Sequence, residues 1–245
     1  MIASLPMYDP APMRGVNDAF WAGIRTALGD GPQVLARGPD PWRDWRAADL
    51  VLSQTCALPW RARLDGAVTL VGAPDYGLPG CGPGQYNSVL VARRDEARPI
   101  TALLGARVAI NDPLSQSGYC VLWTWAVEAG VALNVAMVTG AHAAAARAVA
   151  AGTADLAAID AQTWRLLCRH DPAAARLRVL ARTPPTPALP FITARGRDPM
   201  PIRAAMNTAL TGLTPLQRHD LGLRAIVPAQ EAAMRAQAVP PAPLA

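Results

Sequence analysis

No apolar stretch free of charge or proline reaches the roughly 18 to 20 residues needed to cross a bilayer, so a membrane-embedded helical protein is excluded. The four cysteines contain no CxxC pair and have no histidine pair beside them, which leaves neither a zinc site nor a thioredoxin-like motif and predicts no metal. There is no GxSxG elbow, no glycine-rich phosphate loop ending in Lys-Ser/Thr, no GxGxxG after a strand and no HExxH helix. The common hydrolase, nucleotide, dinucleotide and metalloprotease signatures are thus missing, and no cofactor is expected. Met1–Ala3 leads straight into what reads as a strand, without a basic start or a cleavage-type segment, so the sequence as it stands predicts no secretory leader and keeps a cytoplasmic location open. Charge is sparse at 17%, and the net +5 comes from arginines scattered among alanines, as in Ala145–Ala150 and Ala173–Arg178. A basic run with interleaved aromatics is absent, so nucleic acid is not an expected partner.

What is present is 245 residues, about half of them apolar, enough for one large domain or two small lobes. Short β-type runs alternate with amphipathic helical stretches, the pattern that builds parallel sheets flanked by helices. The first series predicts strands at Ile2–Met7, Val34–Ala36, Asp49–Leu52, Val68–Gly72 and Ser88–Ala92, with a helix near Val16–Leu28 carrying Phe20, Ile24 and Leu28 on one face. The second predicts strands at Arg107–Ile110, Ala136–Val138, Asp155–Ile159 and Arg178–Ala181, with helices near Gly118–Ala129, Ala141–Ala151 and Gln162–His170. Phe191–Ala194 and a helix near Ile202–Leu213 follow a proline cluster, and the proline- and alanine-rich tail Val239–Ala245 is expected to be disordered. Cys120 and Cys168 fall in helix-like stretches as core candidates, whereas Cys56 and Cys81 lie in loops that a disulfide can join.

The informative feature is positional. Nearly every polar cluster of this apolar chain follows a predicted strand: Tyr8-Asp9, Ser53-Gln54-Thr55, Asp75-Tyr76, Asn111 to Tyr119, Thr139 to His142, and Asp160. In open α/β sheets, ligands bind beyond the carboxyl ends of the strands. Ser115-Gln116-Ser117-Gly118-Tyr119 stands before a helix, where unpaired backbone N–H groups, the positive dipole end and two hydroxyls suit phosphate-like oxygens. One such serine is equally an ordinary helix cap. His142 opens its own helix and can donate to an anion, or simply face solvent. Asp160 can cap the next helix, accept a proton from a protonated oxyanion, or bind a ligand amine. Tyr8, Tyr76, Tyr86 and Tyr119 offer phenol donors or an aromatic wall, with Trp42 and Trp164 as the tryptophans nearest the expected crevice.

The segments Asp49–Thr55 (DLVLSQT), Val71–Tyr86 (VGAPDYGLPGCGPGQY), Asn111–Tyr119 (NDPLSQSGY) and Val138–Asp160 resemble those of phosphate/phosphite/phosphonate-type substrate-binding proteins of ABC importers. The resemblance implies the type II periplasmic-binding-protein fold: two α/β lobes, each a mostly parallel sheet flanked by helices, joined by two hinge crossings, with the ligand captured between them. It puts residues 1–92 plus 190–245 in a discontinuous lobe one and 93–189 in lobe two, with hinges near Ser88–Arg94 and Arg182–Phe191. Ser115, Ser117 and Gly118 match the family's Ser-x-Ser-Gly motif, His142 its ligand-side histidine and Asp160 its acidic residue; Tyr8 and Ser53–Thr55 would face them from lobe one. Asp112-Pro113-Leu114 precedes the motif where the family carries a further hydroxyl residue. The implied function is capture of a small anion or anion-bearing organic ligand for an ABC importer and its permease, in the periplasm and without catalysis. A cytoplasmic sensor or carrier on the same fold, and an enzyme using His142, Asp160 and Cys56, are the alternatives.

Overall fold

The computed structural model describes residues 1–243. Its strands are β1 Ile2–Ala3, β2 Leu50–Gln54, β3 Val68–Asp75, β4 Gln85–Tyr86, β5 Ser88–Arg93, β6 Val108–Ile110, β7 Val135–Val138, β8 Leu156–Asp160, β9 Leu177–Arg182, β10 Thr186–Pro187, β11 Phe191–Ala194 and β12 Ala225–Val227. The chain divides into two compact units, one of Met1–Tyr86 with Thr186–Ala236, the other of Asn87–Pro185 with the residues from Gln237 onward. Among the described residues no helix is long and apolar enough to cross a membrane.

The first unit holds a five-stranded sheet in the order β1-β2-β11-β3-β12. Since β11 is antiparallel to both β2 and β3, those two share a direction with β1, and β11 and β12 run against them. β2 is buried along its whole length, apolar over Leu50–Leu52 and polar at Ser53 and Gln54. The helix Arg14–Leu28 buries Val16, Phe20 and Ile24 at a spacing of four. It packs against the helix Pro199–Gly212, where a Cβ on Gly23 would stand 3.0 Å from Ala209 Cβ, so only glycine allows the backbones this close. A second cluster gathers Trp45, Leu50, Trp60, Ile192 and Met234. The ribbon β4–β10 pairs the segment that leaves this unit with the one that returns to it.

The second unit has the sheet order β7-β6-β8-β5-β9. β6, β7 and β8 are parallel, and β5 is antiparallel to both β8 and β9, so four strands share one direction and β5 alone opposes them. "Mostly parallel" therefore describes the strand directions, while the pairings are mixed. The reversed strand β5 is the first after the chain enters the second unit, and β11 is the first to join the five-stranded sheet after it returns. Leu90, Leu103, Val108, Ile110, Leu122 and Leu156 form the core. At its far end Asp155 takes Arg107 Nε and NH2 at 2.9 Å each, and these bonds hold its carboxyl well below the usual carboxylate range.

Several expectations change. Ser88–Arg93 is an interior strand of the second unit, so the chain changes unit at Tyr86/Asn87 and Pro185/Thr186 rather than within Ser88–Arg94, and β5 is not part of lobe one. A third crossing at Ala236/Gln237 places the tail with the second unit instead of lobe one. Of the tail expected to be disordered, Pro240 is buried and Pro241 accepts a hydrogen bond from Tyr119; Leu244 and Ala245 lie outside the described residues. The first strand stops at Ala3 because Pro6, which has no N–H, opens a 3-10 turn. Val34–Ala36 forms no strand, Ala36 N merely donating to Ala3 O at 2.7 Å. None of the four cysteines is in a disulfide among the described residues, and Cys168 is exposed rather than core. Trp42 stacks edge-on against Trp45 at 4.9 Å under the guanidinium of Arg46, part of the first unit's packing rather than a ligand wall.

Candidate functional site

In the second unit, the ends of β6, β7 and β8 (Ile110, Val138, Asp160), the end of β9 and the start of β5 fall along one edge of the sheet. The register fixes this, with Ile110 opposite Val138, Ser88 opposite Asp160 and Val89 opposite Arg182. Backbone bonds then tie the loops together: Gly140 N donates to Asn111 O at 2.8 Å, Ala161 N to Asn87 O at 3.0 Å and Thr183 N to Ser88 O at 2.9 Å. Thr183 Oγ1 accepts from Ser88 N at 3.0 Å.

The Ser115–Tyr119 segment is the most unusual part of this edge. Ser115 caps the turn, its Oγ accepting from Gly118 N at 2.9 Å. Cys120 N donates to Ser115 O at 3.0 Å, a span of five residues, so Gln116–Cys120 is a π-helical turn that opens into the helix Val121–Ala129. Such turns recur at functional sites because they widen the helix and re-aim its side chains. Ser115, Gln116, Ser117 and Gly118 are all buried.

Ser117 Oγ lies 2.8 Å from His142 Nε2, which joins this turn to the N-terminus of the helix His142–Ala151. Ala141 offers no side-chain cap there, so that helix's first N–H groups are left for other partners. Two positive helix ends thus meet through one side-chain hydrogen bond. Gly118 is required for this approach, because a Cβ there would collide with Asn111 Oδ1 and stand 3.0 Å from His142 Cε1. Burial pushes the His142 imidazole down to about 4, partly opposed by the Ala158 backbone, so the ring is neutral at pH 7. Its Nδ1 is shielded from solvent and makes no hydrogen bond of good geometry. Asn111 Oδ1 and Ser88 Oγ on the same edge are likewise buried and unpaired.

Asp160 is 1% exposed, and its Oδ1 accepts from Thr163 N at 2.8 Å, so the capping role is real. Directly opposite residues of an antiparallel pair share a sheet face, which puts Ser88 beside it. Tyr119 turns away: it packs in the core and its hydroxyl donates to Pro241 O at 2.7 Å. In the first unit, Tyr8 and Tyr76 meet edge to face at 5.3 Å. Ser53 Oγ shares a hydrogen bond with Ser4 Oγ at 2.9 Å, and Gln54 Nε2 donates to Leu189 O at 3.1 Å. Thr55 N donates to Pro190 O at 3.0 Å, and Tyr86 is buried in β4. Sequence reasoning missed Ser88 and Thr183. Ser88 opens β5 and Thr183 follows β9, where a search confined to the residues following apparent βα strands does not look.

A family model described as ABC transporter, phosphonate, periplasmic substrate-binding protein matches residues 47–234, more than half of the chain. The chain belongs to this phosphonate-binding protein family. No curated protein matches it. Among solved structures it is similar to PhnD1 from Prochlorococcus marinus in complex with methylphosphonate, at 16% identity and TM-score 0.69, covering 96% of this chain and 94% of that one. It is also similar to a binding-protein component of an ABC phosphonate transporter from Pseudomonas aeruginosa, at 19% identity and TM-score 0.63, covering 94% and 81%. A Rhodopseudomonas palustris protein with bound malate matches at 15% identity and TM-score 0.62, covering 95% and 92%. The fold of this family member is that of the type II periplasmic binding proteins, as the resemblance implies.

Proposed function

We propose that the protein is a non-enzymatic, periplasmic solute-binding subunit that presents a small oxyanion, phosphonate- or phosphate-like, to the permease of an ABC importer. The observation that carries the reading is that Ser88 Oγ and Asn111 Oδ1, buried and without a partner, lie on the same sheet edge as the Ser115–Gly118 turn and His142, with Asn111 and His142 directly against Gly118. Each such atom costs about 1–3 kcal/mol if left without a partner, an expense that a ligand removes on binding. The donors are the Ser115 and Ser117 hydroxyls and the first N–H groups of two helices. The acceptors are Asn111 Oδ1 and the Asp160 carboxylate. A singly protonated phosphonate, with both P–O⁻ and P–OH groups, satisfies both sets. Methylphosphonate and malate on the similar folds are anions of this size class. In the first unit, Ser53 and Gln54 hold the strand end that carries Thr55.

Isothermal titration with methylphosphonate, phosphite and phosphate tests the proposal. Binding of at least one anion is expected, weakened about 10- to 100-fold by Ser117→Ala, which also lowers the melting temperature because it takes the Ser117 partner away from His142 Nε2. An absence of heat and of thermal stabilisation with every anion overturns it.

A further inference from the structure

The tail beyond Ala236 is not needed to complete either sheet, yet it is fastened to one place. Tyr119 Oη donates to Pro241 O at 2.7 Å, and Cys120 Sγ to Ala238 O at 3.5 Å. Pro240 between them is buried. Tyr119 and Cys120 are the last two residues of the π-helical turn whose first three are Gln116, Ser117 and Gly118. The segment from Gln237 reaches the second unit directly from the first, so the turn is held by a strand of chain that no other part of the second unit supplies.

We infer that residues 237–243 are a strap that keeps this turn in its wide form, and that Tyr119 is a positioning residue acting through it. A π-helical turn is less favourable than the α-helix into which it would tighten. Tightening would turn Tyr119 by a different amount than Ser117 and withdraw Ser117 Oγ from His142. The Tyr119 ring is fixed on one side by the core and at its hydroxyl by the strap, so the wide turn is the one geometry in which both contacts hold. Burial raises the Tyr119 phenol above its ordinary value, so the hydroxyl remains a donor throughout the physiological range. The inference rests on the turn being the ligand-binding element, which gives it a functional consequence: the donors are preorganised before the anion arrives.

Two full-length variants test it from opposite sides of the contact. Tyr119→Phe removes only the donor on the turn, and Pro240→Ser loosens only the strap. Amide hydrogen exchange on the ligand-free protein is expected to speed up by roughly three- to tenfold at residues 116–121 in both variants, with helix His142–Ala151 and strand β6 unchanged. Titration with methylphosphonate should show a loss of affinity of the same order, dominated by the entropy of ordering the turn. Unchanged exchange at 116–121 in either variant overturns the strap, as does exchange that rises evenly through the unit. The exchange readout does not depend on the ligand. A strap confirmed by exchange in a protein that binds no anion therefore separates failure of the functional reading from failure of this inference.

Discussion

The two units are built from the same alternation of strand and helix, yet the buried polar groups at the end of β2 and along the corresponding edge of the second unit are treated in opposite ways. At the end of β2 in the first unit, Ser53 bonds Ser4, Gln54 bonds Leu189 O, and the Gln54 carbonyl takes the Trp45 indole at 3.2 Å. Along the corresponding edge of the second unit, Ser88 and Asn111 each keep an atom unpaired out of water. A fold that is only being stabilised does not leave such atoms, because each one raises its free energy without compensation. The end of β2 is therefore closed on itself, the buried Trp60 Nε1 being the first unit's own exception, whereas the second unit gathers its open atoms on one edge. Similar donor-rich sequences thus make one scaffold edge and, on the proposed reading, one recognition edge, and the difference lies in which hydrogen bonds are already made.

The comparison is most severely stressed by Gly118→Ala. The added methyl meets Asn111 Oδ1 and His142 Cε1, both held by the loops of the recognition edge. Relieving the clash costs about 1–3 kcal/mol and displaces the groups that would meet the anion. Titration should show affinity falling by up to about 100-fold, with a lower melting temperature as well. Unchanged affinity would show that Asn111 and His142 are not ligand-side groups.

The next effect is a pH dependence confined to the second unit. His142 titrates near 4 in the folded protein against about 6.5 in the unfolded chain. Between those values the unfolded state binds a proton that the folded state refuses, so stability falls as the pH is lowered through that window and is unaffected above it. The full effect is about 2–3 kcal/mol by pH 4, and His142→Gln should remove it. Denaturant melts of both proteins at pH 7 and pH 4.5 measure the difference. A histidine that charged freely would give parallel curves.

Much of the architecture was legible because the decisive segments are locally unambiguous. The apolar runs of β2, β5 and β8 and the capped helix after Asp160 announce themselves by burial pattern and by the placement of Ser, Asp and Gly. The Ser115–Gly118 turn and His142 were visible as donors at helix starts, but their mutual bond joins residues 25 positions apart and is fixed only by the pairing of β6 with β7. Ser88 was hidden for a topological reason: β5 is read as the last strand of the first lobe, whereas its antiparallel pairing with β8 carries it beside Asp160. The role of Tyr119 was hidden by distance, since its partner Pro241 lies 122 residues away in a segment whose composition signals disorder. The three-residue β12 offers too short a pattern to detect, and it is held as an edge strand by pairing with Ala73–Asp75.

The smallest expected effect tests the closed side of the comparison. Ser4 and Ser53 are 2% and 0% exposed and bonded to each other, so Ser53→Ala leaves the Ser4 hydroxyl buried without that partner and should cost about 1 kcal/mol. Anion affinity should change by less than about twofold, well short of the tenfold that 1.4 kcal/mol represents. Changing both serines to alanine removes the orphan together with its partner, so the double variant should be less destabilised than the sum of the two single ones. An additive result would mean that the Ser4–Ser53 bond contributes nothing as a pair. A large loss of affinity in Ser53→Ala would transfer the recognition role to the first unit and reverse the contrast between the two edges.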